Sequence, residues 1–351
     1  LFVFCNLTAV QAGGVAIIAI ISAQNLGVAL HGHDPSSPWV LSIATLMTWT
    51  LVAVNYVGVR AGARLQDATV IVKLVVLGAL VAVALVIHPG AAPAGHRPLA
   101  TAAPITFSAL FAGVTLTLFA YGGWQQVLWV AGEVVDARRN VPLAILAGVG
   151  IVIVAYLTAN WAYLELLGFD GLRSAKSIAA EAFSAVSPVL GRRIAAGAVA
   201  LSAFGVLNAQ FLAGPRLTWA MARDGQFFAR FARVHPRFGT PGAAILLLGA
   251  LASALTLGLG LDRTDLLTTG VVVVDASFFA LTGLALPILR RSTPRAERGP
   301  RWIAGAAIAF AILELLAIVG SVLVKDVRVV ALTALAWIGA AAVTWVLFFR
   351  R

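Results

Sequence analysis

The sequence predicts an all-α integral membrane protein with about ten transmembrane helices. Its 351 residues are 61% hydrophobic and 11% charged, whereas a soluble domain carries about 25% charged residues and about 45–50% apolar ones. Mean hydropathy is +0.96. The apolar residues gather into runs of roughly 20–30, the length that crosses a hydrocarbon core of about 30 Å. No stretch shows the ~10-residue alternation of a membrane β-barrel. These figures exclude a disordered chain, a disulfide scaffold and an ordinary cytosolic enzyme.

Punctuation by Pro, Gly and charged residues bounds the runs at 1–28, 39–59, 66–88, 105–132, 142–167, 194–222, 241–261, 265–289, 302–324 and 329–349. The first opens on Leu1-Phe2-Val3-Phe4, with no initiator Met and no basic region ahead of it, so the natural N-terminus is expected to be missing. His31, His33 and Asp34 follow in a short loop, read as solvated rather than metal-binding. His88 to Pro104, rich in Pro, Gly and Ala, reads as an extracellular loop. Gly168 to Arg193 has room for a short amphipathic helix over SIAAEAFSAV, a candidate lid. Gln226 to Pro241 interleaves Phe227, Phe228, Phe231 and Phe238 with arginines, the composition of an interfacial helix on anionic headgroups. Asn6-Leu7-Thr8 has the form of a glycosylation sequon, but inside an apolar run it is a chance match.

The net charge of +11 lies in the gaps between runs and not in one patch, so it marks topology and not nucleic-acid binding. Taking alternate gaps, about fifteen Lys and Arg fall on one side, including Arg60, Arg138, Arg223, Arg290 and Arg350, and about eight on the other, including Arg97, Arg192 and Arg328. The positive-inside rule places the richer side, with both observed termini, in the cytoplasm. Cys5 is the single cysteine, so no intrachain disulfide, CxxC redox pair or thiolate zinc site can form. No metal or cofactor is expected.

The most informative stretch is Phe119-Ala120-Tyr121-Gly122-Gly123-Trp124-Gln125-Gln126, in the middle of the run 105–132. Each glycine lowers helix propensity by about 1 kcal/mol, and inside a bilayer every freed backbone group needs a partner. Two readings stay open: a helix broken at the midplane to present backbone groups to a substrate, or a glycine surface for close helix packing.

This stretch, followed by Gly132-Glu133 and Arg138-Arg139-Asn140-Val141-Pro142-Leu143-Ala144, resembles the sixth helix and following loop of the amino acid-polyamine-organocation (APC) permeases, nearest their L-type amino acid transporter branch and its bacterial relatives. Asn55-Tyr56-Val57-Gly58-Val59-Arg60, Arg64-Leu65-Gln66-Asp67 and Lys73-Leu74 are similar to the family's fourth-to-fifth helix junction. Leu201 to Asn208, Arg216-Leu217, Ala222-Arg223-Asp224-Gly225 and His235-Pro236 are similar to its eighth helix and exit loop. The blocks stand in family order.

The resemblance implies a LeuT-like inverted-repeat transporter fold, with the chain beginning in the family's third helix and the first two absent. On that register 1–88 is the remainder of the first repeat, 105–291 the second, and 302–351 two trailing helices. It further implies that the carbonyls of Phe119, Ala120 and Gly122, with Gly123, receive the substrate ammonium at the negative end of a half-helix. Phe119 doubles as an aromatic gate, and Trp124 packs beside the site in a gating role.

Lys73 lies nine residues past Arg64, about 13 Å along a helix. Composition alone favours snorkelling to the cytoplasmic face. The resemblance instead places its ammonium where sodium-coupled relatives hold a cation, a coupling role. Asp275, about ten residues into the run 265–289, is an intramembrane carboxylate where animal members of this branch line the side-chain pocket. It is read as a proton acceptor, a determinant of substrate side chain, or a structural carboxylate bonded to a neighbouring helix. Asn208 and Gln210 suit interhelical hydrogen bonds at least as well as ligand contact. Glu314 is read as a packing contact or a contact between copies in a homo-oligomer. The loop holding His31 lacks the cysteine with which animal relatives bond a heavy chain, so no disulfide-linked heavy chain is expected.

The function expected is secondary active transport of amino acids by alternating access, as antiport or proton symport, in a bacterial inner membrane. The excess of Arg over Lys and the abundant Ala fit a bacterial origin. A non-transporting remnant or split subunit is the alternative. A membrane enzyme is disfavoured because no nucleophile–base pair or metal cluster falls inside the spans.

Overall fold

In a bilayer the backbone has no water to bond, and a chain this apolar satisfies its N–H and C=O groups by helix formation. The computed structural model bears this out: every regular element among the described residues is helical. The structure describes residues 1–86, 122–175, 178–184, 187–261, 264–292, 294, 300–323 and 325–349. The elements are α1 (Phe2–His31), α2 (Ser37–Val57), α3 (Val59–Val86), α4 (Gln126–Trp129), α5 (Ala137–Ser174), α6 (Ile178–Ser184), α7 (Pro188–Arg223), α8 (Gly242–Leu259), α9 (Thr264–Ser292), α10 (Arg301–Leu323) and α11 (Lys325–Phe349).

Among the described residues eight helices are long and apolar enough to span a membrane: α1, α2, α3, α5, α7, α9, α10 and α11. The shorter α8 is also apolar. Nine of the ten apolar runs therefore appear as helices, and most of the tenth, 105–132, lies outside the described residues, as does the loop His88 to Pro104. The spans leave large apolar side chains such as Leu146, Leu157, Ile288 and Leu347 exposed, the surface expected of a protein solvated by lipid.

Three departures from the sequence reading have local causes. Helices α3 and α5 begin earlier than their apolar runs, so Arg60, Arg64, Arg138 and Arg139 sit within helix and not in loops; long cationic side chains extend a span by reaching past its end. Asn140 Nδ2 donates to Val135 O at 2.6 Å just ahead of α5. Residues 226–241 do not form an interfacial helix. Gly225 and Gly239 adopt φ of +75° and +66°, Pro236 and Pro241 interrupt the run, and only a 3-10 turn, Ala229–Ala232, remains. Trp219 Nε1 donates to Ala232 O at 3.0 Å, and Phe227 is buried. Thirdly, α1 carries a π-helical turn over Asn6–Gln11, with Asn6 and Gln11 both buried.

The chain divides into two compact units. One comprises Leu1–Ile17, Leu217–Arg233 and Leu246–Arg351. Its core packs Cys5, Val10, Val273, Val274, Phe278, Ala331 and Ala334, with the Phe2 ring edge-on to Phe278 at 5.1 Å. The other comprises Ile18–Arg216 and Val234–Ile245. There Leu80 and Ala84 of α3, Ala162 of α5, Ala182 and Phe183 of α6 and Ala195 of α7 form a cluster. The short helix expected in SIAAEAFSAV is thus present as α6, and it packs by Ala182 and Phe183.

Candidate functional site

Gly123 has φ +96°, a backbone that only glycine adopts without strain. Its N–H turns away from helix geometry to bond Gln125 Oε1 at 3.0 Å. Beyond it the chain makes one turn of α-helix in α4, then a 3-10 turn over Ala131–Glu133, and reaches α5 through Asp136 at φ +50°. The described part of the run, from Gly122 on, is therefore not a continuous span. Among the described residues nothing comes within 4 Å of where a Gly123 Cβ would stand, so the peptide has room for a neighbour. Trp124 follows, 42% exposed. Phe119 and Ala120, the other proposed ammonium ligands, lie outside the described residues.

The element beside this interruption is α7. Gln126 Nε2 donates to Gln210 Oε1 at 2.6 Å. Seven residues on from Gln126, Glu133 receives Arg216: Nε to Oε1 at 2.6 Å and Nη2 to Oε2 at 3.4 Å. The guanidinium also donates to Leu212 O, one turn back on its own helix. Arg216 is 5% exposed, and a buried cation requires such a partner.

A second seam fastens α7 to α2 and α3. Asn208, fully buried, donates from Nδ2 to Gly62 O at 2.8 Å and to Gln66 Oε1 at 3.1 Å, and its Oδ1 accepts from Asn55 Nδ2 at 3.0 Å. Small residues make the approach possible. A Cβ on Gly205 would meet Thr69 Oγ1 at 2.7 Å, and one on Gly62 would run into Asn55 Oδ1. Ser22 of α1 adds a bond to Ala200 O at 2.8 Å.

Lys73 stands one turn beyond Thr69 on α3, half-buried, with no hydrogen bond or ion pair among the described residues. Asp275 belongs to the other unit. On the α9–α10 seam a Cβ on Gly283 would meet Ala307 O at 2.7 Å and Ala311 Cβ at 3.0 Å. The rings of Phe279 and Phe310 lie 6.0 Å apart. Continued by one turn, that antiparallel register sets Asp275 level with Glu314.

The structure thus brings together Gly122, Gly123 and Trp124 in one turn and adds partners that sequence reasoning missed. The Glu133–Arg216 pair was the largest omission. Its signal was available: Arg216 lies inside an apolar run, where a cation must find a counter-charge.

The chain matches the amino acid permease family over residues 1–348. It is 27% identical over 328 residues to the serine/threonine exchanger SteT of Bacillus subtilis, covering 90% of this chain and 70% of that protein. With human Asc-type amino acid transporter 1 it shares 32% over 270 residues, 74% of this chain and 49% of that one. With rabbit b(0,+)-type amino acid transporter 1 it shares 24% over 306 residues, 85% and 61% of the two chains. The chain therefore spans between about half and about seven-tenths of the length of these relatives. All three are transporters and not enzymes. The match over nearly the whole chain leads to one conclusion: the chain belongs to the amino acid permease family, within the APC superfamily whose motifs it carries.

Proposed function

We propose that this protein carries amino acids across the membrane by alternating access, with the substrate ammonium received at the Gly122–Gly123 interruption. The observation that carries this is Gly123 at φ +96° inside an apolar run, because irregular backbone at membrane depth is tolerated where it lines a cavity. Phe119, Ala120, Gly122 and Gly123 supply the substrate-facing backbone, and Phe119 and Trp124 flank it as gates. Residues 1–88 and 105–291 are the two inverted-repeat portions, followed by two trailing helices in 302–351.

Exchange is the favoured mode, supported by the name of the Bacillus subtilis relative, a serine/threonine exchanger; proton symport is the competing one. Lys73 is assigned the coupling role. Continuing the α3–α7 register from Thr69 and Gly205 by one turn sets it level with Leu201 and Ser202 of α7, where an ammonium can stand in for a bound cation. Asp275 shapes the substrate side-chain pocket or carries the coupled proton. The protein sits in a bacterial inner membrane with its C-terminus in the cytoplasm. Radiolabelled serine and threonine uptake into proteoliposomes tests the proposal. Uptake above protein-free vesicles supports it, and folded protein that moves no amino acid refutes it in favour of a non-transporting subunit.

A further inference from the structure

Resting on the transport reading, we propose that the Gln126–Gln210 and Glu133–Arg216 pairs form a releasable latch, which closes the stretch after the Gly122–Gly123 interruption onto α7 and opens once in every transport cycle. Three observations converge on it. First, α7 is held on its other seam by bonds with no slack: Asn208 is fully buried and bonded to Asn55, Gly62 and Gln66, and Gly205 sits hard against Thr69. Relative motion between α7 and the stretch 122–136 must therefore come from that stretch.

Second, 122–136 is built to move. It is bounded by the two positive-φ residues Gly123 and Asp136, at +96° and +50°, and it holds only one turn of α-helix. No residue within it is buried, and none belongs to either described core cluster. Two side-chain pairs tie it to α7 and stand six positions apart there, about 9 Å along the helix.

Third, the ion pair is asymmetric. The Arg216 side chain is 6% exposed and the Glu133 side chain 46%, and Arg216 is anchored to its own helix through Leu212 O. The guanidinium is a fixed socket, and the half-solvated carboxylate is the part that leaves. Closing the pair costs Glu133 little desolvation because its carboxylate stays half in water, whereas Arg216 left alone is a buried charge that favours reclosure. A latch with that bias holds the closed state and still opens under the free energy of substrate binding. Neither Gln126 nor Glu133 need touch substrate; they are positioning residues for the Gly122–Gly123 turn.

The test uses the protein in proteoliposomes with Cys5→Ser and the pair Gln126→Cys/Gln210→Cys, which leaves Glu133 and Arg216 intact. A short reversible bis-thiosulfonate linker then joins the two thiols. If the latch must open, cross-linking lowers exchange more than about tenfold while substrate binding in detergent changes less than about threefold, and reductant restores exchange. Cross-linked protein that exchanges at its unlinked rate overturns the latch and leaves the transport reading standing. Absence of uptake by the unsubstituted protein overturns the transport reading and the latch with it, and the effect of cross-linking is read against the unlinked cysteine pair, whose own uptake is measured first. Should the cysteine pair fail to fold, Glu133→Gln is the second variant, and Glu133→Asp its conservative control. The latch predicts altered apparent affinity for Gln, whatever the fall in melting temperature from uncovering Arg216, and recovery toward wild type for Asp; a fall in melting temperature with unaltered apparent affinity marks a static packing contact and overturns the latch.

Discussion

Replacing Asn208 with alanine tests whether the buried amide seam holds α2, α3 and α7 together. The residue is fully buried and makes three interhelical hydrogen bonds, to Gly62 O, to Gln66 Oε1 and from Asn55 Nδ2. Asn55 Nδ2 keeps a second acceptor in Leu51 O at 3.0 Å, so the group left worst off is Gln66 Oε1. Bonds of this kind inside membrane proteins average about 0.6 kcal/mol each. Three of them, with the void left by a deleted amide, put Asn208→Ala at about 2–3 kcal/mol of lost stability. The assay is reversible unfolding of the purified protein in mixed micelles titrated with denaturing detergent, followed by far-UV circular dichroism or tryptophan fluorescence. A double-mutant cycle with Asn55→Ala isolates the Asn55–Asn208 term, expected at about 0.5–1 kcal/mol. A loss below about 0.5 kcal/mol for Asn208→Ala would refute the reasoning, since it falls under the value of one average bond.

Gly205→Ala places a methyl group 2.7 Å from Thr69 Oγ1 and should cost about 1–3 kcal/mol by overpacking, read in the same unfolding titration. Lys73→Ala should abolish most uptake and alter its pH dependence; full uptake with an unchanged profile would remove Lys73 from the coupling role. Asp275→Asn, assayed for uptake from acid to neutral pH, should flatten the profile if Asp275 carries the coupled proton. A profile that keeps its shape while substrate preference changes assigns it instead to the side-chain pocket.

Helix number and rough position were legible because a span must be long and apolar, and composition alone reports that. Ends were less legible. Arg60 and Arg138 look like loop residues by charge, yet both lie in the first turn of helices, of 28 and 38 residues, that are longer than the ~20 a span needs. The stretch 226–241 carried an amphipathic composition, but Gly225 and Gly239 at positive φ and two prolines dictate turns. At the site, the turn at Gly123 was legible because adjacent glycines are costly in a helix. Its fastening to α7 was not, since Gln126–Gln210 and Glu133–Arg216 join residues more than eighty positions apart. Sequence periodicity carries no information at that separation, and only the rule that an intramembrane cation needs a partner pointed toward Arg216.

Exchange across the bilayer, measured in wild type and in Gly123→Ala, bears on the central claim most directly. An L-residue held at φ +96° is strained by about 1–2 kcal/mol, while no described neighbour obstructs the added methyl. The substitution therefore perturbs the backbone turn and little else. Proteoliposomes preloaded with unlabelled serine or threonine should take up labelled amino acid faster than empty ones, and Gly123→Ala should lose most of that exchange while remaining folded. A folded wild-type protein that exchanges no amino acid, or a Gly123→Ala variant that exchanges at the wild-type rate, would contradict transport through the interrupted helix.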